Sequence, residues 1–366
     1  MARSRGIPSM TGIRGIAAVW VMMFHAQQYV CKPLGMSHLV NVRLITNGWR
    51  GVDLFFMLSG FVLMYAHGNE FREIRKQPLI RFARLRFTRV YPLNSVVTLL
   101  IAILVVLEPG FVAWTRSRLS PTSFSLESFV RTMFLATRWF IPGSSGWNGP
   151  TWSLSLEILG YLMFPWLAFC AIRIASKWLL AGLSTLFLLG AAVILKLAHH
   201  EPAAIDQFAF VRMASCFATG IALFRLWALA GESAKKWARW ITAGSAVAIL
   251  ILCSVSLAGP MVNICFASLL YGLAFQQGIV NSLLASRVVV FLGEISFPLY
   301  LAHFVPVLWL RYYLHSQSAT YSNVDIVLWL FGWAAGCIAI ATILHYAVEV
   351  PFHRWGRRWA GERVVQ

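Results

Sequence analysis

Ten apolar stretches, each long enough to cross a bilayer, alternate with polar segments along the chain. They fall near residues 12–31, 50–67, 93–114, 151–172, 177–198, 208–229, 238–257, 260–280, 291–313 and 326–348. A transmembrane helix needs about 20 mostly apolar residues. The pattern therefore predicts an all-α, polytopic integral membrane protein with about ten transmembrane helices, in which residues 1–366 form a single transmembrane domain.

Basic residues collect in every second connection and at both termini, and an even number of spans places both termini on one side. Three of the opposite connections, 199–207, 258–260 and 314–325, contain no lysine or arginine. The positive-inside rule therefore places both termini in the cytoplasm of a multi-pass plasma (inner) membrane protein. The cytoplasmic parts are an N-terminus (1–11), a basic loop (72–92) and a basic tail (350–366), and the long loop 115–150 lies outside. The stretch SFVRTMFLATRWFI in that outer loop is typical of an amphipathic surface helix.

Composition agrees with a membrane protein and narrows the partners. The chain is 59% hydrophobic and 12% charged, with a net charge of +18. In a soluble protein this charge would suggest nucleic acid, but here it orients helices and meets anionic lipid headgroups, so no nucleic-acid partner is expected. Six scattered cysteines form no C-x-x-C pair, and no metal site is expected.

Two ionisable side chains, Arg14 and His25, share one face of the first predicted helix, about 16 Å apart along its axis. Ionisable residues within a membrane span are functional candidates. The alternative is that Arg14 reaches to the surface and His25 makes a bond between helices.

Two carboxylates, Asp53 and Glu157, are expected at the depth of His25 in other spans. A histidine flanked by carboxylates is a general-base arrangement. Alternatively, each carboxylate neutralises an arginine. Neutralisation of an arginine is slightly favoured for Asp53, because Arg50 lies one turn away. For Glu157, a place in the active site is favoured. Farther along, Ser296, Tyr300 and His303 share one face of the ninth span.

A basic group is predicted at the cytoplasmic face, where Arg14, Arg86 and Arg89 share a similar depth. Arginine forks suit phosphates because they bind bidentately at fixed charge. Glu349 is expected to pair with one of these arginines. The pattern therefore places a phosphate-binding group at the cytoplasmic face and a histidine toward the outer face. This arrangement suits the transfer of an activated group from a cytoplasmic phosphorylated carrier to an acceptor across the bilayer.

Six sequence blocks in order resemble acyltransferase family 3, the bacterial membrane O-acyltransferases. The blocks are GIRGIAAVWVMMFHA, GVDLFFMLSGFVL, FARLRFTRVYPL, TWSLSLEILGYLMFP, LGEISFPLYLAHF and VEVPFHRW. The resemblance implies about ten transmembrane helices, an acyl-CoA donor from the cytoplasm and transfer to a hydroxyl. It maps the family's essential histidine to His25 and its arginines to Arg14, Arg86 and Arg89. The chain resembles the stand-alone form without an extracytoplasmic hydrolase-like domain.

The expected activity is acyl-CoA-dependent O-acetyl transfer to a cell-surface or exported polysaccharide or glycan, acetyl being the family default. His25 would act as general base or acyl carrier, and the residues do not choose between these. Tyr300 or Ser59 could stabilise the oxyanion, and Ser59, His303 and Trp152 are assigned to substrate binding.

Acceptor specificity is expected in segments 32–47 and 115–150, where Trp139, Trp147 and Trp152 could stack on sugars or form the interfacial aromatic belt. The acceptor could instead be a lipid-linked intermediate or a small metabolite. A transporter of an anionic or glycan-linked substrate is the alternative function, although the sequence shows no internal repeat. A non-catalytic glycan-binding component is a further alternative.

Overall fold

The computed structural model describes residues 6–36, 41–139, 146–199, 208–255, 259–316 and 321–361. Within these ranges the chain is helical and contains no strand, which confirms the all-α prediction. The helices are α1 (Pro8–Ala26), α2 (Arg43–Thr46), α3 (Gly51–His67), α4 (Lys76–Leu107), α5 (Pro109–Arg118), α6 (Leu126–Met133), α7 (Thr151–Arg173), α8 (Lys177–Leu197), α9 (Ala209–Ala228), α10 (Glu232–Ser254), α11 (Met261–Leu273), α12 (Gly278–Leu284), α13 (Arg287–Glu294), α14 (Ser296–Ala302), α15 (Phe304–Ser316), α16 (Asn323–Leu344) and α17 (Val350–Trp359).

Two further segments have the wider π-helical turn. Gln27–Cys31 follows α1, and His345–Glu349 joins α16 to α17. Short 3₁₀ turns flank α3.

Within the described ranges, seven helices are long and apolar enough to cross a membrane, or up to nine if each of two bent helix pairs is one span. Each of these nine overlaps one of the nine stretches predicted from residue 50 onward. The first stretch falls on α1, which is not among the nine because Arg14 and His25 interrupt its apolar sequence. The count of ten and the cytoplasmic termini therefore stay predictions.

Of the two segments expected as loops, 72–92 is largely helical and 115–150 contains short helical stretches. The basic segment 72–92 enters α4 at Lys76, and α4 continues through Pro92 to Leu107. In the segment 115–150, α6 covers only the start of the predicted amphipathic stretch and ends where Leu135 adopts a φ of +52°. The basic tail is also helical as far as Trp359. Parts of these regions, residues 1–5, 140–145 and 362–366, lie outside the described ranges.

The chain divides into two compact units. The first unit contains Met1–Val21, Val42–Pro78 and Gly160–Glu294, and the second contains Met22–Asn41, Leu79–Leu159 and Ile295–Gln366. In the first unit, α3 and α9 approach closely through glycines. A Cβ added to Gly60 would overlap the Phe217 carbonyl, and one added to Gly220 would overlap the Met57 carbonyl. Small residues let helix backbones pack this closely.

The second unit has an apolar cluster that packs the π turn after α1 against α15 and α16. Its buried members are Ala26, Val30, Cys31, Met36, Val307, Leu310, Leu314 and Ile326. This packing fixes the end of α1, which carries His25, beside the start of α15, which follows His303.

Candidate functional site

The second unit brings together two histidines that are 278 positions apart in the sequence. His25 Nδ1 lies 2.8 Å from His303 Nε2. His25 is half-buried near the end of α1, whereas His303 is fully buried between α14 and α15. In a partly buried site of low dielectric, such a hydrogen bond is stronger than it would be in water.

The hydrogen-bond chain assigns the tautomers of both neutral rings. His303 Nδ1 lies 3.0 Å from the Leu299 carbonyl oxygen, which can only accept, so Nδ1 carries the hydrogen. Nε2 of His303 is then an acceptor, and His25 Nδ1 donates to it. The lone pair of neutral His25 consequently lies on Nε2, which is the atom a general base requires.

Aromatic side chains surround His25. The rings of Phe24, Tyr29 and Phe304 lie 5.2–6.0 Å from the His25 ring, centroid to centroid. Gly149 lies against the Phe304 ring, where an added Cβ would come within 2.7 Å of the ring atoms. These contacts hold the imidazole in an apolar setting.

Tyr300 is also brought to this site, 6.0 Å from the His303 ring. Its hydroxyl lies 2.7 Å from Ser153 Oγ, and Ser153 Oγ donates to the Pro150 carbonyl at 3.0 Å. Since the single Ser153 hydrogen is used on Pro150, Tyr300 donates to Ser153. The predicted oxyanion role of Tyr300 would require this bond to break.

The other predicted substrate or catalytic residues occupy helix positions near the start of α7 and within α3. Trp152 is buried at 9% exposure and Glu157 is half-buried, both on α7 in the second unit. Such burial leaves little of the Trp152 ring open to a sugar. Ser59 is half-buried on α3 in the first unit. The roles assigned to Glu157, Trp152 and Ser59 stay predictions.

A second polar group in this unit is centred on Glu349, whose side chain is 2% exposed. Glu349 Oε1 pairs with Arg89, one of the arginines predicted as its partner from the sequence. Glu349 Oε2 lies 2.7 Å from His345 Nδ1. Two cationic or donor groups on one buried carboxylate fix its position.

Three further basic side chains extend this group, which we call the basic cluster (Arg86, Arg89, His353 and Arg357, with Glu349). His353 lies within electrostatic range of the three arginines and of Glu349. With three arginines and one carboxylate, the basic cluster keeps an excess of positive charge. Arg86 and Arg89 are three positions apart on α4, so their side chains lie on one helix face as predicted from the sequence.

Helix α14 links the histidine pair to the basic cluster. The Arg89 guanidinium stacks on the ring of Phe297 at 5.4 Å, near the start of α14. His303 follows the end of the same helix. Six residues of helical rise amount to about 9 Å, so the two groups are held at opposite ends of one short helix.

Asp53 has a different partner from the one that the sequence suggested. Its carboxylate accepts from Arg212 Nη2 at 2.8 Å and from Nε at 3.2 Å, and both side chains are almost fully buried. Arg50 instead donates to Asn47 Oδ1 and to the Gly259 carbonyl. The pairing of Asp53 with Arg50 is therefore wrong, because the parallel packing of α3 on α9 brings Arg212 closer.

Arg14 is half-buried on α1 and belongs to the first unit, whereas Arg86 and Arg89 belong to the second. Its predicted place beside them stays a prediction. Sequence reasoning missed Arg212, His345 and His353. Its position five residues into the apolar predicted span 208–229 was the available signal for Arg212. His345 and His353 lie four positions either side of Glu349, on the helical spacing that brings side chains together.

Comparison with known proteins identifies the family of the chain. The profile of the acyltransferase domain family Acyl_transf_3 matches residues 7–346. The chain is 27% identical to "Acyltransferase MdmB" of Streptomyces mycarofaciens, over 96% of this chain and 93% of that protein. It is 20% identical to "O-acetyltransferase OatA" of Staphylococcus aureus, over 45% of this chain and a quarter of OatA.

A shorter match, 38% identical over 93 residues, is to "Protein 2 in picA locus" of Rhizobium radiobacter and covers a quarter of this chain. No solved structure matches. The family profile spans nearly all the described helices, from α1 to the second π turn, and so includes the histidine pair and Arg89. The chain therefore belongs to acyltransferase family 3, a family of membrane acyl-transferring enzymes.

Proposed function

We propose that this protein is a plasma-membrane O-acetyltransferase that moves an acetyl group from cytoplasmic acetyl-CoA to a hydroxyl of a cell-surface or exported polysaccharide or glycan. The observation that carries the proposal is the hydrogen-bond chain from Leu299 through His303 to His25. It presents a basic imidazole nitrogen in an apolar surrounding, within a family of acyltransferases.

His25 Nε2 takes the proton of the acceptor hydroxyl while the oxygen attacks the thioester carbonyl. A new C–O bond forms and the C–S bond breaks. The CoA thiolate leaves and receives the proton from His25, so the base is regenerated. His303 accepts from His25 Nδ1 throughout and so stabilises the imidazolium that forms.

The basic cluster fits the phosphates of the donor. Arginines bind phosphate oxygens in bidentate pairs, and the cluster carries more positive than negative charge. Arg86, Arg89 and Arg357 would hold the phosphates, and Glu349 fixes Arg89 toward them. The separation along α14 would be bridged by the flexible arm that carries the thioester.

The test measures CoA release and acetyl transfer by the purified protein in lipid nanodiscs, with radiolabelled acetyl-CoA and a cell-envelope polysaccharide extract as acceptor. His25→Ala should lower turnover by roughly 10²–10⁴-fold, the contribution of a positioned general base. His315→Ala is the matched control, because His315 is an exposed histidine at the end of α15, and it should keep wild-type turnover.

Each result decides a different part of the proposal. Wild-type turnover by His25→Ala would overturn the role of the histidine. Failure of the wild-type protein to bind or consume acetyl-CoA would overturn the donor. Consumption of acetyl-CoA that leaves the polysaccharide unlabelled would overturn the acceptor class.

A further inference from the structure

A cavity of about 710 Å³ lies in the first unit, apart from the residues of the proposed chemistry. Its polar end is formed by Arg50, Asp53, Lys196 and Arg212, with Trp49 and Asn263 beside them. These residues lie in the 3₁₀ turn before α3, at the start of α3, at the end of α8 and at the starts of α9 and α11.

Positive charge is in excess at this end of the cavity. Asp53 pairs with Arg212 and also lies within electrostatic range of Arg50. Among the described residues it is the one carboxylate that lines the cavity, against the three cationic side chains of Arg50, Lys196 and Arg212. Arg50 is 3% exposed and donates only to neutral oxygens. Because one carboxylate cannot balance three cations and burial of uncompensated charge is costly, an anion in the cavity would be stabilising.

The guanidinium groups at this end are held rigidly. Arg50 lies 4.4 Å and Arg212 lies 4.9 Å from the centroid of the Trp49 ring. The two hydrogen bonds that Arg212 donates to Asp53 Oδ1 restrain it further. Guanidinium groups that are fixed before binding suit a phosphate, because little side-chain freedom is lost when the ligand arrives.

One wall of the cavity is apolar and reaches the outer surface of a candidate membrane span. It is formed by α8, and two of its residues, Leu189 and Val193, are 39% and 54% exposed. Helix α8 is one of the apolar spans, so this exposed face is the kind that contacts acyl chains. The cavity therefore joins a cationic end to a lipid-compatible wall.

We propose that this cavity binds an anionic amphiphile, with its phosphate group on Arg50 and Lys196 and its apolar chain along Leu189 and Val193. The proposal does not depend on acyl transfer, because every residue in it belongs to the first unit. Of these residues, Asp53 alone was a catalytic candidate from the sequence, and in the cavity it serves only to hold Arg212.

The test measures binding to the purified full-length protein in zwitterionic detergent by titration calorimetry, with three probes. Dihexanoyl phosphatidic acid has both the phosphate and the chains, glycerol 3-phosphate has only the phosphate, and dihexanoyl phosphatidylcholine lacks net charge. We expect phosphatidic acid to bind at least tenfold more tightly than either of the other two. Equal binding of phosphatidylcholine would overturn the anion requirement, and equal binding of glycerol 3-phosphate would replace the amphiphile with a free phosphate ester.

Two lysines on one helix provide matched variants. Lys196 lines the cavity at one end of α8, and Lys177 starts the same helix at its other end; both are exposed. Lys196→Gln should weaken phosphatidic acid binding about tenfold, whereas Lys177→Gln should leave it unchanged. Because both side chains are exposed, neither variant should impair folding, and an equal effect of the two would overturn the site.

Discussion

The histidine pair shows how a single buried side chain can set the chemistry of another. His303 uses one ring nitrogen on its own helix and the other on His25. Because it is fully buried, in the proposed reaction it would act on the substrate only through His25, as a positioning residue rather than a catalytic one. Its predicted assignment to substrate binding does not suit these contacts.

Replacing His303 should separate positioning from folding. His303→Leu removes the acceptor for His25 Nδ1, and we expect kcat to fall roughly 10–100-fold, the usual cost of losing such a supporting bond, with the KM for acetyl-CoA unchanged. His303→Gln keeps a side-chain acceptor and should recover part of kcat. Steady-state CoA release checks both variants. Equal kcat values for the two, with equal thermal stability, would contradict the relay.

The ion pair of Arg89 and Glu349 should affect both the unfolding free energy and the KM for acetyl-CoA, and variants of the two residues should separate these effects. Arg89→Gln leaves the Glu349 carboxylate buried with less compensation, which should cost about 3 kcal/mol of unfolding free energy. Adding Glu349→Gln should recover most of that loss but leave the KM for acetyl-CoA raised. Thermal unfolding and steady-state kinetics of the single and double variants check this.

An exposed ion pair supplies the control for that experiment. Arg75 and Glu73 lie in contact with side chains 73% and 65% exposed, so Arg75→Gln should cost less than about 1 kcal/mol. If the double variant is as unstable as Arg89→Gln alone, Glu349 does not depend on Arg89 for compensation.

The candidate site residues could be recognised from the sequence, but the side chains that contact them mostly could not. Ionisable residues inside apolar spans singled out His25, Asp53 and Glu349 because such residues are costly there. The partner of Asp53 lies 159 positions away, and nearness in sequence favoured Arg50 wrongly. Glu349 was the exception, because its arginine partner was predicted correctly. The sequence placed Glu349 and the arginines of α4 at the same cytoplasmic face, and their charges are opposite.

At the scale of elements, both functional groups adjoin a π-helical turn. Gln27–Cys31 starts two residues after His25, and His345–Glu349 contains two members of the second group. Single π turns inside helices are rare and are frequent at functional sites. Hydrophobic periodicity predicted the helices around them, but a local change in helical turn has no periodic signal, so these segments could not be foreseen.

The close packing of α3 and α9 should depend on glycine. Gly220→Ala places a methyl group against the Met57 carbonyl, and we expect a loss of about 1–3 kcal/mol in unfolding free energy from overpacking. Gly190→Ala is the matched control, because an added Cβ there meets no atom within 4 Å. It should be neutral or slightly stabilising. Equal thermal unfolding midpoints for the two variants would contradict the close contact.

At the scale of the whole molecule, charge distribution predicts orientation. The segment near Lys235 is expected in the cytoplasm and the connection 314–325 outside. In a variant with all six cysteines replaced by alanine, Ser316→Cys should react with a membrane-impermeant maleimide in intact cells. Ser233→Cys should react only after the membrane is permeabilised. The reverse pattern would contradict cytoplasmic termini.

The link between Arg89 and Glu349 has a consequence for biosynthesis. The two residues are 260 positions apart, and the carboxylate lies in the last π turn of the chain. A ribosome must therefore translate as far as Glu349 before Arg89 acquires its partner. A nascent chain released before residue 345 would carry His25 and His303 but would lack Glu349 from the basic cluster. On the proposed function, such truncated products would not consume acetyl-CoA, so turnover would begin only after this segment has been translated.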